Sequence, residues 1–183
     1  MKQVRNGVFE TNSSSVHSIC IQKDKNITLP NSIHFYIGEY GWDFDCVDTA
    51  SYLYTAILST YNKDEAEEKI KQIKTVLDKH SMSYDFEEPM YYSGEYGSWL
   101  KNGYVDHDYC ARHFIEAVLN DEDLLLRCLF GTDSCVYTGN DNSGGDYDMC
   151  YCAGETVWDD EKREFALHPN YEPDKYDYFY KGN

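Results

Sequence analysis

The stretch K-D-E-A-E-E-K-I-K-Q-I-K-T-V-L-D-K-H, Lys63 to His80, carries the clearest period in the chain. Ala66, Ile70, Ile73 and Leu77 recur at steps of three and four, so one face of a helix is apolar and the rest is charged. Glu65 with Lys69 and Glu67 with Lys71 stand at i,i+4 in the favourable order, and Lys79 and His80 suit the negative end of the helix dipole. The charges of this helix cancel, five against five.

A helix with a single apolar stripe must lay it on other elements, and the flanking sequence supplies them. Upstream, Leu53, Tyr54, Ile57, Leu58 and Tyr61 fall at helical spacing, with Asp48 or Thr49 placed to cap. Downstream, Asp106 to Asn120 reads as a third helix burying Cys110, Phe114 and Val118. A shorter fourth opens at Asp121 and carries Leu124 to Phe130 until Gly131 stops it. Period two appears at V-H-S-I-C-I, Val16 to Ile21, which places His17, Ile19 and Ile21 on one strand face and Val16, Ser18 and Cys20 on the other.

Ile33–Ile37, Ser83–Glu88, Cys135–Tyr137, Met149–Ala153 and Arg163–Leu167 read as further strands, the hairpin partner of Cys135–Tyr137 being Met149–Ala153 across a turn-rich loop. Tyr171, Tyr176, Tyr178 and Tyr180 form a ladder beside Asp174 and Asp177, the pattern of an edge strand guarded by acids. Met90 to Gly103 has no period and is expected to be irregular. Glu39, Tyr40, Trp42, Asp43 and Asp45 crowd a turn around Gly38 and Gly41, pinned by a buried Trp42.

These elements predict an α+β fold with about four helices packed beside a mixed or antiparallel sheet of about five to six strands. One domain is expected over residues 1–183. It comprises a polar block with strands (1–45), a helical part (46–130) and an acidic, tyrosine-rich strand part (131–183).

Of the 183 residues, 42% are hydrophobic and 18 are Tyr, which excludes wholesale disorder and points to an aromatic core. The sequence shows no apolar run near about 18 residues and no basic start followed by an apolar segment, so the expected location is the cytoplasm. Seven cysteines without a secretory signal are expected to be reduced thiols. Cys150 and Cys152, with Cys128 or Cys135, lack the spacing of a zinc site. Asp106, His107, Asp108 and His113 are explained more cheaply by helix capping than by metal, so no metal or cofactor is expected.

The net charge is −17. Residues 1 to 30 carry Lys2, Arg5, Lys23 and Lys25 against Glu10 and Asp24, while residues 81 to 183 hold 22 of the acids and 13 of the tyrosines. Such a body repels free nucleic acid and is drawn to basic partners, among which nucleic-acid-binding proteins are the commonest. High solubility is the plainer account of the same charge.

The chemistry-bearing residues are concentrated at the start, in V-R-N-G-V-F-E-T-N-S-S-S-V-H-S-I, Val4 to Ile19. Arg5 offers a planar fork for phosphate oxygens, Thr11, Asn12, Ser13, Ser14 and Ser15 offer short neutral donors, and His17 is the acid/base group of ordinary near-neutral pKa. Glu10 is a partner for proton transfer, and the serine-rich turn suits an anion-binding nest. The plainer account is a solvated turn beside an Arg5–Glu10 ion pair.

The block R-N-G-V-F-E-T-N-S-S-S-V-H-S resembles the N-terminal block of a group of small proteins from phages and other mobile elements. Among them are anti-CRISPR proteins acting on type II effectors, some associated with truncation of the guide RNA. The resemblance covers roughly the first twenty residues, with a weaker echo at I-G-E-Y-G-W, Ile37 to Trp42. It implies an inhibitor of a type II RNA-guided DNA nuclease whose partner is the effector protein with its guide RNA. Two mechanisms are then open: catalysis of guide shortening by the block, or occlusion of a nucleic-acid channel by the acidic body. A small-molecule phosphate-binding or transferase enzyme and a plain interaction protein use the same residues without CRISPR.

Overall fold

The computed structural model describes residues 15–41, 45–94, 97–106, 111–140, 156–159, 161–167 and 171–181. These form an α+β fold with four helices: α1 (Thr49–Thr60), α2 (Lys63–Lys79), α3 (Ala111–Asn120) and α4 (Glu122–Phe130). Among them no helix is long and apolar enough to cross a membrane.

The strands are β1 (Ser15–Gln22), β2 (Ser32–Phe35), β3 (Glu39–Tyr40), β4 (Asp45–Val47), β5 (Ser83–Phe86), β6 (Tyr91–Gly94), β7 (Gly97–Leu100), β8 (Tyr104–Val105), β9 (Cys135–Asn140), β10 (Thr156–Asp159), β11 (Glu164–Leu167) and β12 (Tyr176–Lys181). The largest sheet is four-stranded and antiparallel in the order β12-β1-β9-β4. The other strands form pairs: β10-β11, β6-β7, and the parallel β2-β5 and β3-β8. The tyrosine ladder is an edge strand, as expected, with Tyr178 opposite Cys20 and Phe179 opposite Ile19. The Cys135 strand pairs with β1 and β4; its expected partner Met149–Ala153 lies outside the described residues.

Helix α1 is the hub. Its apolar stripe understates its burial, because Thr49 to Leu58 are all buried and the helix meets α2, α3 and α4 together with strands on several sides. Asp48 caps it by accepting from Ser51 N at 2.7 Å. A helix enclosed on every side needs its polar side chains satisfied internally. Thr49 donates to the carbonyl of Cys128. Ser51 and Thr55 accept from Tyr36 N (3.2 Å) and Gly38 N (3.1 Å).

Helix α2 lays its stripe on the core, with Ala66, Ile73 and Leu77 buried and Ile70 partly so. The pairing along its charged face differs from expectation. Glu65 closes a capping box with Asn62, and Lys69 reaches across to Glu116 on α3 at 2.8 Å. Lys71 pairs with Glu68, three residues before it. At the C-terminal end, Lys79 and His80 both bond Glu122 of α4, so they join two helices rather than only complement a dipole. Replacing Asn62 by alanine removes one side of the capping box and is expected to cost about 0.5–2 kcal/mol of stability, read as a lower thermal midpoint with an unchanged cold spectrum.

Met90 to Gly103, expected to be irregular, contains the β6-β7 hairpin, with Gly94 opposite Gly97 and two residues between them. Beside it Phe35 and Phe86, register partners in β2-β5, stack at 4.2 Å, and Tyr54 meets both edge-on. The end of α4 requires Gly131 for space and not for dihedral freedom: a Cβ there would collide with the Arg127 carbonyl and sit 2.5 Å from Ser134 Oγ.

Ion pairs fasten the edge strand to this frame. Arg127, mostly buried, donates to the Gln22 carbonyl (2.6 Å) and to Asp177 of β12 (3.0 Å). Glu116, Glu122 and Asp123 are all held below the usual carboxylate range, chiefly by hydrogen bonds from Lys69, Lys79 and Lys25 respectively. A depressed carboxyl contributes stability above its unfolded pKa and loses it as pH falls through the folded one. Thermal midpoints are therefore expected to drop between about pH 5 and pH 2, and Lys69→Met to flatten part of that slope.

Candidate functional site

His17 is the third residue of β1, a strand with neighbours on both edges. Both of its faces are covered: His17, Ser18, Ile19, Cys20, Ile21 and Gln22 are all buried. The alternation therefore distinguishes two buried faces. His17 lies on the one shared with Ile19 and Ile21, and its exposure is 0%.

Imidazole Nδ1 lies 2.7 Å from the Tyr52 hydroxyl of α1, and the rings are 5.6 Å apart at 55°. Tyr52 in turn contacts Tyr40 (5.4 Å) and Phe114 (6.1 Å), so the histidine's partner sits in an aromatic cage. The other nitrogen faces Gly41, which has φ +141° and ends the β3 segment. A Cβ at Gly41 would come within 3.0 Å of His17 Nε2 and collide with the Asp106 Cβ, so glycine allows His17 and Asp106 to approach one corner. Asp106 is held there because its N–H donates to the Tyr40 carbonyl at 2.8 Å. It stands in the turn after β8, ahead of α3.

This arrangement fixes the ring and couples its two nitrogens. When Nδ1–H donates to Tyr52, Nε2 keeps its lone pair and is a base; when the Tyr52 hydroxyl donates, Nε2 carries the proton. Tyr40, next to the site, has its hydroxyl pushed up to about 12 by burial and by the nearby Asp48 charge, against a hydrogen bond from Thr55. It therefore stays neutral at physiological pH.

No known protein family, curated protein or solved structure matches this chain. The site is therefore judged on its own geometry.

Of the expected site residues, His17 is placed as above, and Ser15 opens β1 opposite Asn140. Arg5, Glu10, Thr11, Asn12, Ser13 and Ser14 lie outside the described residues, as do Val8, Phe9, Trp42, Asp43, His107, Asp108, Cys110, Cys150 and Cys152. Among the described residues no cluster of three or more His, Cys, Asp or Glu is placed to hold a metal. Cys20 and Cys128 are buried and Cys135 is half-buried. Burial raises the Cys128 thiol to about 12, which makes it a poor nucleophile. His113 is exposed on α3, 5.9 Å from the Phe179 ring.

Tyr52 is the neighbour of His17 that pattern reading missed. It lies 35 residues from His17, and its only local signal is that a buried tyrosine hydroxyl must find a partner. A separate groove of about 730 Å³ runs between α2 and residues 86–91. Its floor includes Tyr54, Leu58, Ile70 and Phe86, and Lys71 and Lys74 stand on its rim; it shares no residue with the His17 corner.

Proposed function

We propose that this chain is an inhibitor of a type II RNA-guided DNA nuclease that docks on the effector's basic nucleic-acid channel through its own acidic surface. The observation that carries this reading is the segregated charge: −17 overall, with a net positive start and the acids concentrated after residue 80. The resemblance of the block Arg5 to Ser18 supports the same class of target. Such a target places the protein in the cytoplasm of the host cell.

A second reading adds chemistry: the N-terminal block promotes truncation of the guide RNA once the body has docked. The observation favouring it is the Tyr52–His17 hydrogen bond, which orients an imidazole as a catalytic acid or base must be oriented. In this mechanism His17 exchanges the proton of a 2′-hydroxyl or of the leaving oxygen, Glu10 is its counterpart, and Arg5 with the Thr11–Ser15 donors stabilises charge on the phosphoryl oxygens. Because His17 is fully buried, the RNA reaches it only if the residues around it rearrange on docking.

Docking by charge is tested with Glu161 and Asp174, both exposed. Reversing them, alone and with Asp159 and Asp160, is expected to weaken effector binding. Raising salt should do the same, since screening lengths fall from about 10 Å at 0.1 M to about 3 Å at 1 M. Asp177 is unsuited to this test because its reversal would set a cation against the mostly buried Arg127 in place of their ion pair. Binding indifferent to both salt and reversal would remove the acidic surface from the account.

A further inference from the structure

Among the described residues, the large apolar side chains left exposed are Tyr36 (58%), Met90 (52%), Tyr92 (57%) and Tyr104 (44%). They come from three segments of the sequence, and one small network ties those segments together. Glu87 accepts from Ile37 N at 2.8 Å, which fixes the backbone next to Tyr36. Asn102 donates to the other Glu87 oxygen (3.4 Å) and accepts from Met90 N (2.9 Å). Lys101 N donates to the Met90 carbonyl at 2.6 Å, and its ammonium lies 5.3 Å from the centre of the Tyr92 ring. Tyr104 N donates to the Gly38 carbonyl at 3.0 Å, two residues beyond Tyr36.

Scattered exposed apolar residues need no explanation, but a set drawn from three segments tied together in this way marks a contact site. Tyrosine and methionine are also the side chains enriched at the centres of protein interfaces. The charges around them decide the partner. Glu39, Asp85 and Glu88 are exposed beside these segments against Lys101 and the partly buried His34, which packs on the Tyr36 ring and pairs with Asp85 at 2.9 Å. Such a border repels phosphates, which disfavours a nucleic acid stacking on the rings, and at −17 overall a second copy of this chain is repelled as well.

We infer that the surface formed by Tyr36, Met90, Tyr92 and Tyr104 is the docking surface for a protein whose contact face carries arginines around an apolar centre. Guanidinium groups stack on tyrosine rings and pair with carboxylates in the same approach, so this surface answers both properties of such a face. The identity of that partner as a type II effector rests on the proposed function; the position of the surface does not.

The test has two arms. In the first, isotope-labelled protein is titrated with a synthetic amphipathic peptide of arginine and leucine. Backbone shifts are expected to centre on Tyr36, Met90, Tyr92 and Tyr104. The double variant Tyr92→Ser, Tyr104→Ser should bind the peptide at least about tenfold more weakly with an unchanged far-UV spectrum. Met90→Lys serves as an independent variant should the double one fail to fold. Shifts centred on the α2 groove or the C-terminal strand, or unchanged affinity in the folded variants, would overturn the assignment; so would shifts of Tyr36, Tyr92 and Tyr104 on titration with oligouridine alone, or dimers that the substitutions abolish. In the second arm the same variants are bound to a panel of guide-loaded type II effectors, and the same loss is expected. Failure of the wild-type protein to bind any effector, with the peptide arm as expected, would refute the proposed function and leave the surface standing. Wild-type effector binding that the variants retain would overturn the surface and leave the function.

Discussion

Under the catalytic reading, His17→Ala is expected to abolish guide shortening while leaving effector binding nearly intact, because removing one positioned acid/base group typically forfeits roughly 10² to 10⁴ in rate. Its burial makes the interpretation depend on a control. The imidazole fills space in the core and satisfies the Tyr52 hydroxyl, so alanine both removes the chemistry and leaves a cavity. Tyr52→Phe separates the two effects. It keeps the imidazole and the packing, removes only the hydroxyl on Nδ1, and is expected to cost about 1–3 kcal/mol of stability. Shortening should then slow without disappearing, since Nε2 remains but the ring is no longer held. The cleavage should survive a chelator. A folded His17→Ala protein that trims RNA at the wild-type rate would make this histidine a core residue and nothing more.

Ile57→Ala should produce one of the largest losses of stability of any single truncation, about 2–5 kcal/mol. Ile57 is fully buried at the middle of α1, where neighbours on several sides prevent the space from closing. Ile70→Ala on α2 is the matched comparison. Ile70 lies at the partly buried border of the stripe, beside the groove, and its loss should be clearly smaller. Urea denaturation of both variants reads the difference directly. Equal losses would contradict the placement of α1 at the centre of the core.

Local patterns were legible wherever local physics decides the outcome. The α2 stripe, the Asp48, Asp121 and Gly131 caps, and the tyrosine-rich edge strand all follow from neighbours a few residues apart. What escaped reading depends on distant partners. Lys69 has a competent Glu65 on its own helix, but the cap claims Glu65 and the buried approach to Glu116 claims Lys69. The β6-β7 hairpin is built from Tyr, Ser, Gly and Trp with a single Leu, and has no apolar alternation to announce it. Asp106 continues the β3-β8 pairing through its N–H, a contact with no local signal, while the residues it is expected to cap, 107–110, lie outside the described ones. The His17 corner shows the same division. Its histidine stood out by type, whereas Tyr52 and Gly41 join it only through the packing of α1 and the β3 turn onto β1.

The most direct test of the inhibitor reading is to incubate the protein with guide-loaded type II effectors and target DNA, and to run the RNA and the DNA on separate gels. The account predicts loss of DNA cutting at low salt that weakens as salt rises. Shortened guide RNA would accompany it under the catalytic reading, and intact guide under occlusion. DNA cut at the full rate across the panel, with the protein in excess and at low salt, would contradict it.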